Sequence, residues 1–408
     1  MRKGLFKKLA LAAPLVVCLP LCVQAGDAAA PSDEPAAKIF EDYSLTSATQ
    51  DSSDPSKVVN TNASLDASAP CVGNQPTPAP APAPTPCTSP VCPAPPNCCN
   101  TFGEPFCEPK CVFTAGVEAT IFHVQTRGLE VDSSVTSNIT GTTFEQSNSQ
   151  VFDQLTFSPR IWAGVQEDCW GLEGRFWYMS DSTNRLEPYE AVPPFTGDYT
   201  MDRIKAYTVD FEGTRSFCLW GSKLDTFFGF RYASFEAGQG TQVTRQIAPD
   251  DFWQTQALTK FTFNGCGITM GFLGRCPLTC DGCINLVYGV RGSVLWGEAE
   301  RSVQTEASVT EVDGSAASIN SAFADDIDTA FIVEALVGVE WDHKLECLPM
   351  CAFLRLGVEY QYWNLGSKGS ADSVSFAVSD TGSAVSHASI GDVATNMYGF
   401  TVATGFTW

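Results

Sequence analysis

The chain has 408 residues, of which 44% are hydrophobic and 17% charged, with a formal net charge of −22. An acidic balance of this size argues against nucleic acid as a partner, because a polyanion needs a basic face. Seventeen cysteines point to an oxidising compartment.

The first residues read as a secretory signal. Arg2, Lys3, Lys7 and Lys8 form a positive start, Leu9 to Val23 is apolar but short for a bilayer span, and Val23-Gln24-Ala25 is a small-residue cleavage site. Cys18 and Cys22 follow the bulky Val17 and Leu21, which argues against a lipoprotein. Without residues 1–25, which carry four positive and no negative charges, the net charge is −26.

Residues 26–110 do not have the pattern of a packed domain. Asp51 to Ala69 is mostly Ser, Asp, Asn and Ala, and Gln75 to Cys87 (QPTPAPAPAPTPC) is a proline-alternating spacer that favours polyproline II. Cys71, Cys87, Cys92, Cys98, Cys99, Cys107 and Cys111 flank or follow it. Disulfides are the default for them after secretion. Irregular spacing and the lack of a nearby His weigh against zinc. The segment is expected to be disordered or disulfide-rich.

From residue 111 onward an all-β pattern appears. Ten period-two strands are predicted at about 112–125, 154–166, 171–180, 203–217, 223–236, 257–274, 284–299, 328–343, 352–365 and 394–408. Leu354, Leu356, Val358, Tyr360 and Tyr362 oppose Arg355, Gly357, Glu359 and Gln361, for example. The phase breaks near Gly265-Cys266-Gly267, which predicts a bulge. Short connections at 167–170, 218–222, 275–283 and 344–351 alternate with long polar ones at 126–153, 181–202, 237–256, 300–327 and 366–393. Short turns at one end and long loops at the other are the pattern of an outer-membrane barrel. No later segment has the apolar run of a membrane helix, so a membrane-spanning form must be a closed barrel. The prediction is an antiparallel transmembrane β-barrel over 111–408, with ten strands, or twelve if 126–153 or 366–393 hides a hairpin. A soluble β-sandwich is the main alternative.

The last strand alternates Tyr398, Phe400, Val402, Phe406 and Trp408 with small residues. It reads as a lipid-facing strand with an aromatic end, and Tyr398, Phe400, Phe406 and Trp408 resemble the terminal signal read by bacterial barrel-assembly machinery. That machinery and outer-membrane lipid are the expected partners. An even strand count leaves both termini, the short turns and the N-terminal extension on the periplasmic side of a bacterial outer membrane, and the cysteines agree with this orientation. Cys169, Cys218, Cys276, Cys280, Cys283, Cys347 and Cys351 lie in or beside short turns, and Cys266 alone sits within a strand. All are candidates for disulfides, within the chain or to other envelope proteins. Fifteen cysteines remain after signal removal, an odd number.

Strand phase sends one set of charges inward: Glu118, Arg160, Glu173, Arg175, Asp210, Glu212, Asp225, Arg231, Arg291, Glu334, Glu340, Arg355 and Glu359. Charges facing lipid are costly, so this face belongs in the lumen. The charges either pair across the lumen and close it, or line a narrow path with mild cation preference.

GVEAT near Gly116, YGVRGSVLWGEAE from Tyr288, LRLGVEYQYWNLGS from Leu354 and the terminal GFTVATGFTW together resemble the Legionella-type pore-forming outer-membrane protein family, which has planctomycete relatives with proline- and cysteine-rich extensions. The resemblance covers residues 112–408 and implies a porin-like role. The cysteine-rich extension and turns depart from a plain porin. They leave a structural envelope protein, a closed barrel cross-linked by disulfides, as the alternative. An enzyme is not expected. His123, His343 and His387 have no Ser or acid at a spacing that suggests a nucleophile or base. No phosphate loop is present, and Asp325, Asp326 and Asp328 read as a solvated loop rather than a cation site. No metal or cofactor is expected.

Overall fold

The computed structural model describes residues 108–148, 155–187, 197–219, 222–248, 251–279, 283–311, 314–345, 350–366 and 369–408. The expected signal, the proline-rich spacer and the cysteines up to Cys107 lie outside the described residues, as do Cys280 and Cys347. The described residues form twelve strands: β1 (Glu108–Ser137), β2 (Thr143–Asn148), β3 (Leu155–Asp168), β4 (Trp170–Glu187), β5 (Gly197–Leu219), β6 (Ser222–Ala248), β7 (Asp251–Pro277), β8 (Ile284–Glu311), β9 (Gly314–Lys344), β10 (Cys351–Asn364), β11 (Ala371–Val378) and β12 (Gly382–Thr407).

Ten of the strands close a ring. Each is antiparallel to the next in the order β1, β3, β4, β5, β6, β7, β8, β9, β10, β12, and β12 pairs back onto β1. The seam runs from Thr114↔Thr407 to Ser137↔Gly382, with one register shift between Arg127 and Leu129. Phe113 and Trp408 exchange backbone hydrogen bonds of 2.8 and 3.0 Å, and their rings stack at 5.8 Å. Closure satisfies the backbone within the sheet, which a lipid environment requires. The other two strands stand beside the ring, β2 on β1 and β11 on β12. Both stretches suspected of hiding a hairpin therefore hold an extra strand, while the ring keeps ten.

An apolar band encircles the outside. It includes Phe113, Val117 and Ile121 on β1, Phe331, Val333, Val337, Val339 and Trp341 on β9, Phe400, Val402 and Phe406 on β12, and Trp408 just after it, all exposed. Each run is roughly ten residues long, the length a tilted strand needs to cross a bilayer. Trp170, Trp341 and Trp408 mark its edge at the end with the short turns; Trp296, Tyr360 and Tyr398 mark the other edge.

The strands continue far beyond this band, which corrects the long-loop expectation. β8 has 28 residues and β9 has 31. The stretch 300–327 is the upper halves of β8 and β9, 237–256 is those of β6 and β7, and 181–202 carries the ends of β4 and β5. Period two persists here. Val303, Thr305, Ala307 and Val309 of β8 are buried, and Gln304, Glu306 and Ser308 alternate with them. The outer face of upper β8 is polar and meets water instead of lipid, and that polarity disguised the strand as loop.

The bulge expected at 265–267 is also absent. β7 keeps continuous register through Gly265, Cys266 and Gly267 with both β6 and β8. The glycines serve close approach instead, since a β-carbon on Gly267 would lie 2.0 Å from the Val294 carbonyl oxygen.

Candidate functional site

Phase along the strands turns all thirteen predicted charges toward the interior. Most are buried, and they pair both with direct ladder partners, as Glu118 does with Arg160, Asp210 with Arg231 and Glu340 with Arg355, and across the lumen with strands that are not ladder neighbours. Arg160 of β3 grips Glu359 of β10 with two hydrogen bonds, Nη2 to Oε1 at 2.6 Å and Nη1 to Oε2 at 3.0 Å, and also pairs with Glu118. Arg231 of β6 grips Asp210 at 2.6 and 2.8 Å and reaches across to Glu334 of β9. Arg291 of β8 donates to Asp210 at 2.7 Å and to Glu212 at 3.0 Å, with its guanidinium 4.4 Å from the Phe227 ring centre. Arg355 bonds Glu340 at 2.6 and 2.9 Å. Arg175 and Glu173 are more open and meet at 3.5 Å. Bidentate pairing of this kind is what lets charge remain in a poorly hydrated interior.

One member of this lattice was not among the predicted residues. Arg275 of β7 ties Asp225 to Glu340 at 2.7 and 2.8 Å. The sequence reading placed it in a turn, although its odd number puts it in phase with the inward residues of β7.

Above the lattice the interior holds two large apolar clusters, interleaved with buried polar groups such as the Arg301–Asp328 pair. Glu359 accepts a bond from Gln361, whose Oε1 accepts one from Trp363 Nε1 at 2.9 Å. Trp363 packs against Trp177 at 5.5 Å and Phe235 at 6.0 Å between ring centres. Phe122, Phe261, Phe263, Leu129 and Met397 complete this buried cluster, and a second one around Val243, Trp253 and Val309 lies further out. Below the lattice a cavity of about 290 Å³ lies toward the short-turn end, with Trp162, Phe353, Arg175, Lys223 and Asp342 in its wall. The lumen is thus a charged lower chamber, a lattice of ion pairs and an aromatic roof.

The other candidates fall elsewhere. Asp325, Asp326 and Asp328 are not in a loop but on β9, and Asp328 is buried beside Arg301 at 3.4 Å. His387 is not in a loop either. It lies on β12 with Nε2 3.2 Å from Asp372 and Nδ1 3.8 Å from Asp132, so it joins acids on β11 and β1. Those partners are 15 and 255 positions away in the chain, and only the strand pairing brings them together. His123 stacks near Tyr398 at 4.6 Å and His343 near Trp341 at 5.5 Å. Among the described residues no group of His, Cys, Asp and Glu has the geometry of a metal site. Cys111, Cys169, Cys218, Cys276, Cys283 and Cys351 all lie at the short-turn end, spread around the ring, with Cys351 opposite Thr407, whereas Cys266 is midway along β7. Cys111, Cys276 and Cys351 are thiols there.

Fold and wall together define a ten-stranded antiparallel transmembrane β-barrel of the outer-membrane type. No protein-family model and no curated protein matches the chain. Among solved structures it is similar to the outer membrane protease OmpT from Escherichia coli, at 11% identity and a TM-score of 0.34, covering 74% of this chain and 97% of that one. It is also similar to a Pseudomonas aeruginosa FadL homologue, at 6% identity and a TM-score of 0.20, covering 73% and 90%. A third is the Pseudomonas putida toluene transporter TodX, at 8% identity and a TM-score of 0.19, covering 73% and 89%. At these scores the fold assignment rests on the closed ring itself.

Proposed function

We propose that this protein is a closed outer-membrane barrel with a structural, non-catalytic role in the envelope, presenting its short-turn end and N-terminal segment to the periplasm. The observation that carries this reading is the cross-lumen lattice of Arg160, Arg231 and Arg291 beneath Trp177 and Trp363. A permanently open porin keeps water along its axis, and here side chains fill it. The cysteines at the periplasmic end suit disulfide links to other envelope components. Single-channel recording of the refolded mature protein in a planar bilayer tests the reading. The expected trace is flat. Discrete, salt-dependent steps would overturn it.

A second reading, porin-like passage of small ions or solutes, is favoured by the charged cavity below the lattice and by the resemblance to Legionella-type pore-forming proteins. In that case Glu334→Lys or Arg355→Glu shifts the ion selectivity of the steps. Orientation is tested separately. A membrane-impermeant maleimide should label Cys111 and Cys351 only after the outer membrane is permeabilised. Labelling of both on intact cells places the short turns outside and removes the periplasmic assignment.

A further inference from the structure

β9 is flanked on both sides for only part of its length. β10 pairs with it from Phe331 to Lys344 and ends at Asn364. Above Phe331, β9 is paired with β8 along one edge and with no strand along the other among the described residues. The chain that would continue the missing ladder steps inward. Gly366 and Gly369 have φ of 110° and 81°. A β-carbon there would come within 2.1 Å of Asp328 Oδ2 and 2.5 Å of Asp326 Oδ2, so the step needs glycine twice. β11 then packs on β8, with Ser375 Oγ donating to the Thr305 carbonyl at 3.0 Å and Ser373 Oγ 2.9 Å from Thr305 Oγ1. It meets β9 through a side chain rather than a ladder, Asn320 Nδ2 donating to the Val374 carbonyl at 2.6 Å.

The vacated lane is bordered by backbone donors and acceptors and by large apolar side chains. Ile319, Phe323 and Ile327 are 61, 65 and 76% exposed; Ile327 lies just above the edge of the membrane band, and Phe323 and Ile319 lie progressively further out. Val374, Phe376 and Val378 of β11 are exposed too. Natural sheet edges are guarded by charged side chains, lysine above all, by proline or by bulges. Residues 314–324 contain no charged residue and no Pro, and their register with β8 is unbroken. Asp325 lies on the outward face of β9, near Glu298 and Glu300 of β8. Partial burial, then Asp325 and Glu300, push the Glu298 carboxyl above its usual range. An incoming cation relieves that crowding.

We propose that this edge receives an extended segment of a partner protein, which adds a strand beside β9 with apolar residues along Ile319 and Phe323 and a basic residue facing Asp325, whose charge adds to that of Glu298 and Glu300 on the strand behind it. A second copy is a poorer fit. Barrels sharing one membrane are related by rotation about its normal, so two β9 strands tilted by about 35–45° cross at twice that angle and form no ladder. Lipid leaves the backbone edge without partners.

Hydrogen exchange on the full mature chain in nanodiscs tests this, with a short synthetic peptide as probe: isoleucine and threonine in alternation, lysines at one end. Without peptide, the β9 amides above Phe331 that face the lane should exchange within seconds, and those bonded to β8 should be protected. Saturating peptide should slow the first set by about tenfold or more. A peptide with prolines in place of alternate isoleucines should leave them fast. The variant Phe323→Ser/Ile327→Ser alters exposed positions only and should lose peptide protection while keeping the barrel's own exchange pattern. Exchange unchanged by the peptide overturns the proposal. So does protection already present without it: dependence on protein concentration would name a second copy as the occupant, and dependence on lipid composition would name lipid.

Discussion

Arg231→Met should lower the stability of the refolded barrel by about 3–5 kcal/mol, the cost of leaving buried acids without their cation. Arg231 is 1% exposed, holds Asp210 with two bonds and is the ion-pair partner of Glu334 across the lumen. Urea unfolding, or the temperature at which the compact band is lost on a gel, reads the effect. Arg231→Met/Glu334→Gln should recover part of the loss, because a neutral Gln needs no counter-charge and Asp210 keeps Arg291 as its cation. A single-variant cost below about 1 kcal/mol would place the pair in water and reopen the case for a hydrated lumen.

Trp363→Ala should cost about 3–5 kcal/mol in the same measurement, as expected for deletion of a large buried aromatic. Its ring is fully buried between Trp177 and Phe235, and its Nε1 bond to Gln361 ties the aromatic roof to the Glu359–Arg160 pair. The void would open directly above the lattice, so brief ionic openings should appear in bilayers where the parent is silent. Trp363→Phe should stay silent and lose less stability. Equal losses for both variants would shift the importance from the filled volume to the indole hydrogen bond.

Much of the membrane part of this barrel is legible in the sequence because lipid imposes a strong alternation. Leu354 to Tyr360 and Tyr398 to Trp408 carry large apolar groups at alternate positions, and the ring of ten follows from counting such runs. The same alternation turned Glu118, Arg160, Glu334 and Glu359 inward. Their partners were not legible. Arg231 finds Glu334 103 positions away, across two intervening strands, and local phase holds no information about which charge stands opposite. The upper halves of β6 to β9 were missed for a related reason. Their inner faces mix Val and Ala with Thr, and their outer faces mix Gln, Glu and Ser with Ile319 and Phe323, so the contrast between inside and outside is weak even though the backbone is as regular as below. Gly265 and Gly267 misled in the other direction: a lost side chain looked like a lost register, and in the structure it marks two strands in close contact.

The seam between β1 and β12 sets the order of events in assembly. Its lower end joins Phe113 to Trp408, positions separated by almost the whole barrel sequence. The entropy of closing a loop rises only slowly with length, but no partial ring can share in the reward before the two strands meet. β1 therefore stays without its final neighbour until β12 has been made, exposing a long edge that other chains can copy. A chain built this way is safest when something holds β1 until β12 arrives, and its slowest step is the last ladder to zip.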